Sequence, residues 1–235
     1  MKTAPRLGAV VLARMDSARL PGKVLAEVAG RPLLSYIIER LPGDIVSDRI
    51  VIATSSRTVD LPIVEFAAAN SIACYRGSAT DVTDRFLAAA RSLRLDGAFR
   101  VNGDSPFVEA RLIREAATLY RPGATGLITN LTPRSYPYGV SVELVDVRTL
   151  AALSKVRPDS ETMEHVTRIL YRDLPENQTI GLTCDSGRAA EDLTGIRLTI
   201  DTSEDLERFR RFVVDLDQPF LNVDHMSAVR SGYFR

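Results

Sequence analysis

Tryptophan is absent from this chain, and cysteine and histidine occur only twice each. Cys74 and Cys184 stand far apart and outside any C-x-x-C spacing, which argues against a disulfide framework or a structural zinc site and fits a reducing cytoplasm. Net charge is missing too. Thirty basic and 30 acidic residues cancel, so no general attraction to nucleic acid or to an anionic membrane is expected. Long apolar runs are also lacking. The longest early run, residues 7–13, is at the lower limit for a signal-peptide core and ends at Arg14, and nothing approaches the roughly 20 residues of a membrane span. No repeat, low-complexity tract or long linker divides the sequence. With 45% hydrophobic residues among 235, one sizeable core and a single domain over residues 1–235 are expected, in an unexported protein.

What is present is an alternation of two periodicities. Strand-like runs at residues 8–13, 49–54, 73–75 and 98–101 are separated by apolar positions at helical spacing. These are Leu34, Ile37, Ile38 and Leu41; Ile63, Phe66 and Ala67; Val82, Phe86, Ala89 and Leu93; and Ile113, Ala116, Ala117 and Tyr120. The alternation predicts stacked βαβ units and an α/β fold with a largely parallel sheet. Residues 130–139 hold two prolines and several turn formers, and 140–145 then alternate like a strand. This predicts an inserted arm at about 130–145. Beyond it, helices are expected at 147–153, 161–171 and 203–214, and strands at 179–183 and 196–200.

The first strand opens into Arg14-Met15-Asp16-Ser17-Ala18-Arg19-Leu20-Pro21-Gly22-Lys23. In α/β proteins the loop leaving such a strand is where ligands bind. Pro21-Gly22 forces a turn, Gly22 permits close backbone approach to an anion, and Arg14, Arg19 and Lys23 can converge on a polyphosphate. A nucleoside triphosphate suits that chemistry. The loop is not a Walker A motif, because Ser17 stands where that motif has its first glycine and Val24 where it has Ser or Thr. Nor does a G-x-G-x-x-G occur.

These residues resemble the R-x-x-S-x-R-L-P-G-K signature of sugar-activating cytidylyltransferases, especially the spore-coat polysaccharide type related to CMP-Kdo and CMP-sialate synthetases. The likeness continues through Arg76-Gly77-Ser78, Asp81-Val82 with Asp84-Arg85, Asn102-Gly103-Asp104-Ser105-Pro106, residues 134–143, Glu164-His165-Val166-Thr167 and Asp201-Thr202 with Glu204-Asp205-Leu206. It implies a Rossmann-like nucleotidyltransferase fold and transfer of CMP from CTP to a hydroxyl of a sugar or sugar acid, with release of pyrophosphate. Arg14, Arg19 and Lys23 would then be catalytic. Ser17, Arg76, Ser78 and Asn102 would touch the nucleotide, and backbone groups near Leu12 and Ala13 would read the base. Related folds use UTP, dTTP or GTP on similar loops, while this loop type favours CTP. The rivals are a metal-dependent glycosyltransferase, whose usual D-x-D is lacking at Asn102-Gly103-Asp104, and a module that binds nucleotide without turning it over.

Asp104 and Asp201 each follow a strand-like run and face the same sheet edge as the basic loop. Paired with phosphates, two such carboxylates are the oxygen ligands Mg2+ takes. The bland alternatives are an Asx turn at Asp104, before Ser105-Pro106, and a helix cap at Asp201. Thr202 with Asp205 already forms a capping-box-like pair, which frees Asp201 from that duty. Asp81 divides between capping a helix that carries Asp84 in its first turn and orienting Arg76 or Arg14 at the nucleotide.

On the acceptor side, Glu164 and His165 open the second turn of the expected helix, with His165 off its apolar stripe. The resemblance assigns both to the sugar. Arg134, Tyr136, Tyr138 and Glu143 on the arm form either a plain surface hairpin or, as the resemblance implies, a border to the sugar and part of a homodimer interface. The sequence departs from the spore-coat pattern by reading Tyr138 and Ser141 where that pattern has aspartates. His225 has no motif around it.

Overall fold

The protein is described from a computed structural model covering residues 4–46, 48–156, 159–183, 193 and 195–234. Cys184 falls outside the described residues. In chain order the elements are β1 (Leu7–Leu12), β2 (Glu27–Val28), β3 (Arg31–Pro32), α1 (Leu33–Glu39), α2 (Gly43–Val46), β4 (Ile50–Ser55) and α3 (Leu61–Ala69). There follow β5 (Ala73–Gly77), α4 (Val82–Ser92), β6 (Gly97–Asn102), α5 (Ala110–Leu119), β7 (Leu127–Thr129), β8 (Glu143–Asp146) and α6 (Val147–Val156). The last are α7 (Ser160–Glu164), α8 (Arg168–Asp173), β9 (Thr179–Gly181), α9 (Ser203–Val214) and α10 (His225–Arg230).

Seven strands form one sheet in the order β5-β4-β1-β6-β8-β7-β9. The β1, β4, β5 and β6 neighbours pair in parallel, as do β7 and β9, and β8 alone runs against its neighbours. Because β1 is covered on both faces, its residues divide between two cores. Ala9 and Val11 pack with Ile37, Ile63, Phe99 and Ile113 on one side, and Val10 packs with Phe86, Ala89, Val145 and Leu150 on the other. Each such fully buried side chain contributes on the order of 1.5–3 kcal/mol from its removal from water. Aromatic rings thicken the first core, with Phe107 edge-on to Phe220 at 5.3 Å and to Phe209 at 5.8 Å.

Four expected elements differ from what forms, and for three of them the hydrogen bonding gives the reason. The helix expected over 161–171 is two helices. The Thr162 carbonyl, which would accept from Val166 in an unbroken helix, instead accepts the Thr83 hydroxyl at 2.6 Å, and His165 takes an extended conformation at the break. The strand expected over 140–145 begins only at Glu143, because the Asn130 side chain substitutes for a partner strand: its amide donates to the Val140 carbonyl at 2.8 Å and its oxygen accepts from the Val142 N–H at 2.9 Å. The 196–200 segment makes a single bridge, Arg197 to Tyr138, since Tyr138 is flanked by Pro137, which has no N–H, and by Gly139 at φ 103°. The 179–183 strand pairs with β7 over Thr179–Gly181. Residues 130–142 therefore link β7 to β8 as a folded-back loop with isolated bridges at Leu131–Arg134 and Tyr138–Arg197.

Candidate active site

A cleft of about 420 Å³ opens at the carboxyl ends of β1 and β6. Its lining includes Leu12, Ala13, Arg14, Ser17, Arg19 and Lys23 from the first strand and its loop, Asn102 at the end of β6 with Gly103 and Asp104 in the turn after it, and Glu164, His165 and Asp201. Residues 90 to 180 positions apart in sequence thus meet in one crevice.

The loop is shaped by its own backbone and by one buried acid. The Gly22 N–H donates to the Met15 carbonyl at 2.7 Å, and the turn closes because Gly22 adopts φ 75°, a left-handed conformation a side chain would strain. Asp60 is fully buried; it accepts from the Met15 N–H at 2.7 Å and from the Ser55 hydroxyl, pinning the loop to the end of β4. At Gly103 a Cβ would sit 3.0 Å from the Leu12 carbonyl and 3.1 Å from the Ala13 Cβ, so glycine lets the chain leaving β6 pass closely by the end of β1 without displacing it.

Charge converges at the mouth. The Lys23 ammonium donates to Asp104 Oδ2 at 2.7 Å, Asp201 Oδ1 at 3.0 Å and the Ile200 carbonyl at 2.8 Å. Asp201 also accepts from Arg19 at 2.8 Å, Arg197 at 3.0 Å and the Thr199 hydroxyl at 2.9 Å. Burial pushes the Asp201 carboxyl up, but the bond and charge of Lys23, with Thr199 and Arg197, hold it below the ordinary aspartate value. The capping box forms as expected: Thr202 accepts from the Asp205 N–H, and Asp205 accepts from Thr202, so the Asp201 side chain is not spent on α9.

Several predicted residues lie off this cleft. Arg76 donates to the Ser56 carbonyl, Ser78 accepts from the Asp81 N–H, and Asp81 caps α4 by accepting from the Asp84 N–H at 2.8 Å; none of the three lines the cleft. Capping thus accounts for Asp81. Tyr136 is fully buried against His225, ring centroids 5.3 Å apart, a packing position rather than a sugar contact. Tyr138 is exposed between the guanidinium groups of Arg134 and Arg197, and neither it nor Arg134 reaches the cleft lining. Glu143 is buried one step behind the cleft, paired with Arg100.

Two arginines of the lining escaped the sequence reading. Arg85 stands in the Asp84-Arg85 motif; burial, and then the neighbouring Arg14, pull it down to about 10 against the attraction of Asp60, Asp16 and Asp81. Arg100 interrupts the apolar run of β6, and a charge inside a strand covered on both faces is itself the signal that could have found it. Arg14 turns from the loop to donate to the Ala79 carbonyl at 2.8 Å.

A mostly parallel sheet with a basic loop at the end of its first strand and two carboxylates facing that loop defines a Rossmann-like nucleotidyltransferase. The chain is 24% identical to a cytidylyltransferase of Leptospira borgpetersenii, over 97% of this chain and 93% of that one, and shares its fold with a TM-score of 0.85. The chain belongs to the cytidylyltransferase family, whose sequence profile matches residues 9–228. It is 32% identical over 184 residues to a 3-deoxy-manno-octulosonate cytidylyltransferase of Synechococcus elongatus, covering 75% of this chain and 72% of the relative. It is 28% identical over 216 residues to the spore coat polysaccharide biosynthesis protein SpsF of Bacillus subtilis, covering 86% and 83%. Among the described residues no helix is long and apolar enough to cross a membrane.

Proposed function

We propose that the protein transfers CMP from CTP to a hydroxyl of a sugar or sugar acid, releasing pyrophosphate. The observation that carries this reading is the Lys23 ammonium, buried and shared by Asp104 and Asp201 within a cleft that the basic loop lines on one side. The acceptor oxygen attacks the α-phosphorus as the bond to the bridging oxygen of the β-phosphate breaks; pyrophosphate leaves with that electron pair and the hydroxyl proton passes to water. Phosphoryl chemistry of this kind asks the protein for alignment and charge stabilisation rather than a covalent nucleophile. Arg19 and Lys23 stabilise the charge growing on the leaving group, Arg14 and Ser17 hold the nucleotide, and Leu12 and Ala13 offer backbone groups to the base.

A divalent cation such as Mg2+ suits the donor set. Two carboxylate oxygens already share one cation, the lysine ammonium, and the Asp104 side chain is 27% exposed toward solvent. Asp104 and Asp201 would hold the ion, which when bound supplies neutralisation of phosphate charge. Glu164 and His165 wall the acceptor side. The reading extends to a homodimer, the assembly the family resemblance implies, in the reducing cytoplasm that the sparse cysteines suit.

The test is a grid of CTP, UTP, GTP and dTTP against two acids, 3-deoxy-manno-octulosonate and glucuronate, and two neutral sugars, glucose and mannose, followed by pyrophosphate release. CTP with at least one acceptor is expected to release it. Nucleotide binding with no release from any pair would leave a binding module in place of an enzyme.

A further inference from the structure

Arg100 and Asn102 share a face of β6, because side chains alternate along a strand, and both line the cleft, as does Asp104 in the turn just beyond the strand. Asp104 lies at the mouth of the cleft and Arg100 two strand positions inward of Asn102, so the cleft runs along the sheet face away from the Lys23 cluster. Arg100 is fixed there from behind. Its Nη1 donates to Glu143 Oε2, and Glu143, 1% exposed, receives the Tyr171 hydroxyl on its other oxygen at 2.9 Å. Thr129 completes the line. Because Tyr171 spends its one proton on Glu143, the Thr129 hydroxyl donates to the Tyr171 oxygen 2.7 Å away, while its own oxygen accepts from the Leu131 N–H at 3.0 Å. Every proton in this relay therefore points toward Glu143, and the carboxylate is committed on both oxygens.

Four elements, β6, β7, β8 and α8, thus spend buried hydrogen bonds to orient one guanidinium. If the aim were only to neutralise Glu143, the arginine would have no reason to face a ligand cleft. Yet Arg100 lines it, its side chain is 20% exposed, and its buried Nε has no hydrogen-bond partner among the described residues. Tyr171 stays a phenol throughout, since burial and then the Glu143 charge raise its hydroxyl. A planar guanidinium held by one edge presents its remaining N–H groups as a fork that matches a carboxylate or phosphate.

We infer that Arg100 is a specificity-determining residue that binds an anionic group of the acceptor, with Glu143 and Tyr171 as positioning residues. The inference rests on the proposed CMP transfer and narrows its acceptor to an acidic one. The shared chemistry is an oxyanion, and the alternative source is a phosphate of the nucleotide itself.

The experiment separates the two. Arg100→Gln alone leaves Glu143 buried with one partner, so Arg100→Gln/Glu143→Gln, a neutral amide pair of similar shape, is measured beside Arg100→Lys. Binding of each acid and each neutral sugar of the grid is titrated in the presence of CMP, CTP is titrated separately, and KM and kcat are taken for any active pair. Wild type is expected to bind at least one acid more tightly than both neutral sugars. The double variant is expected to weaken that acid about tenfold to hundredfold while kcat and CTP affinity change less than about threefold, and Arg100→Lys to recover part of the loss. Weakened CTP with unchanged acid assigns the fork to the nucleotide and overturns the inference. So does equal binding of acids and neutral sugars, or a uniform fall in Tm, CTP and acceptor affinity, which is what a purely structural ion pair would give. The binding arm reads without turnover, so loss of the CMP-transfer reading shows separately as no pyrophosphate from wild type.

Discussion

Replacing Lys23 by Met keeps the length of the side chain and removes the one cation that Asp104 and Asp201 share. The structure sets the cost of folding. Removing one member of a buried ion pair ordinarily costs about 3–5 kcal/mol, because its partner is left charged and unpaired. Here the partners are not left alone: Asp201 keeps Arg19, Arg197 and Thr199, and Asp104 is 27% exposed and reaches water. The main orphan is the Ile200 carbonyl. The expected loss is therefore about 1–3 kcal/mol, the cost of one unsatisfied buried acceptor, or a fall in Tm of roughly 2–12 °C for a chain of this size. Turnover should fall far more, by about a hundredfold or greater, as for other preorganised charge contacts at a reacting group. A third readout needs no substrate. With the ammonium gone, Asp104 and Asp201 lose the one cation they share while Asp201 keeps its two arginines, and Mn2+ followed by electron paramagnetic resonance on nucleotide-free protein should bind at least about tenfold more tightly than to wild type. Pyrophosphate release within about threefold of wild type, or Mn2+ affinity equal in the two proteins, would refute the reasoning.

The rest of the molecule supplies further tests. Asn130→Ala removes both bonds that hold Val140 and Val142 in a buried loop, and should lower stability by about 2–4 kcal/mol in urea unfolding; a midpoint equal to wild type would show that water replaces the amide. Asp201 is held below its ordinary value of 3.8, so its contribution to stability is full above that pH and is lost as pH falls through the lower folded value. Asp201→Asn should accordingly flatten the acid limb of the stability curve below about pH 4, which thermal melts across pH 2–7 would read, and an unchanged limb would remove Asp201 from that role. Asp60→Ala should leave the sheet folded while raising the KM for CTP, because the Met15 N–H and Ser55 lose their shared acceptor; an unaltered KM would mean the loop holds its shape from Gly22 alone.

The fold was legible where it depends on periodicity. Buried strands covered on both faces produce largely apolar runs, and β1, β4 and β6 appear where those runs fall, while the half-exposed edge strand β5 also forms at its expected place. The α9 cap was legible for a similar reason, since Thr202 and Asp205 stand at fixed local spacing. Illegible elements depend on partners distant in sequence. Nothing near residue 162 announces that Thr83 will take its carbonyl, and nothing near residue 140 announces that Asn130 will replace a strand. Local pattern cannot report a hydrogen bond lent by a side chain 79 or 10 residues away.

The site divides along the same line. Residues displayed by strand ends or by one short loop reach the cleft together, because the parallel sheet delivers every such end to one edge; this holds for Arg14, Ser17, Arg19, Lys23, Asn102 and Asp104. Residues on the connection between β7 and β8 do not, since their positions follow from how that loop folds back. Tyr136 turns inward to His225, and Tyr138 stacks between two arginines. Glu143 joins the two cases. It lies too deep to touch a ligand, yet it sets the direction of Arg100, which does line the cleft. A carboxylate buried to 1% exposure and tied to a cleft arginine is explained by the orientation it imposes, because a neutral pair of the same shape would avoid the cost of burying two charges. The acid at 143 and the base at 100 are thus best understood as one unit. Substituting either alone should perturb folding more than substituting both, and that non-additivity, measured in a double-mutant cycle, is the quantity that distinguishes an orienting pair from two independent contacts.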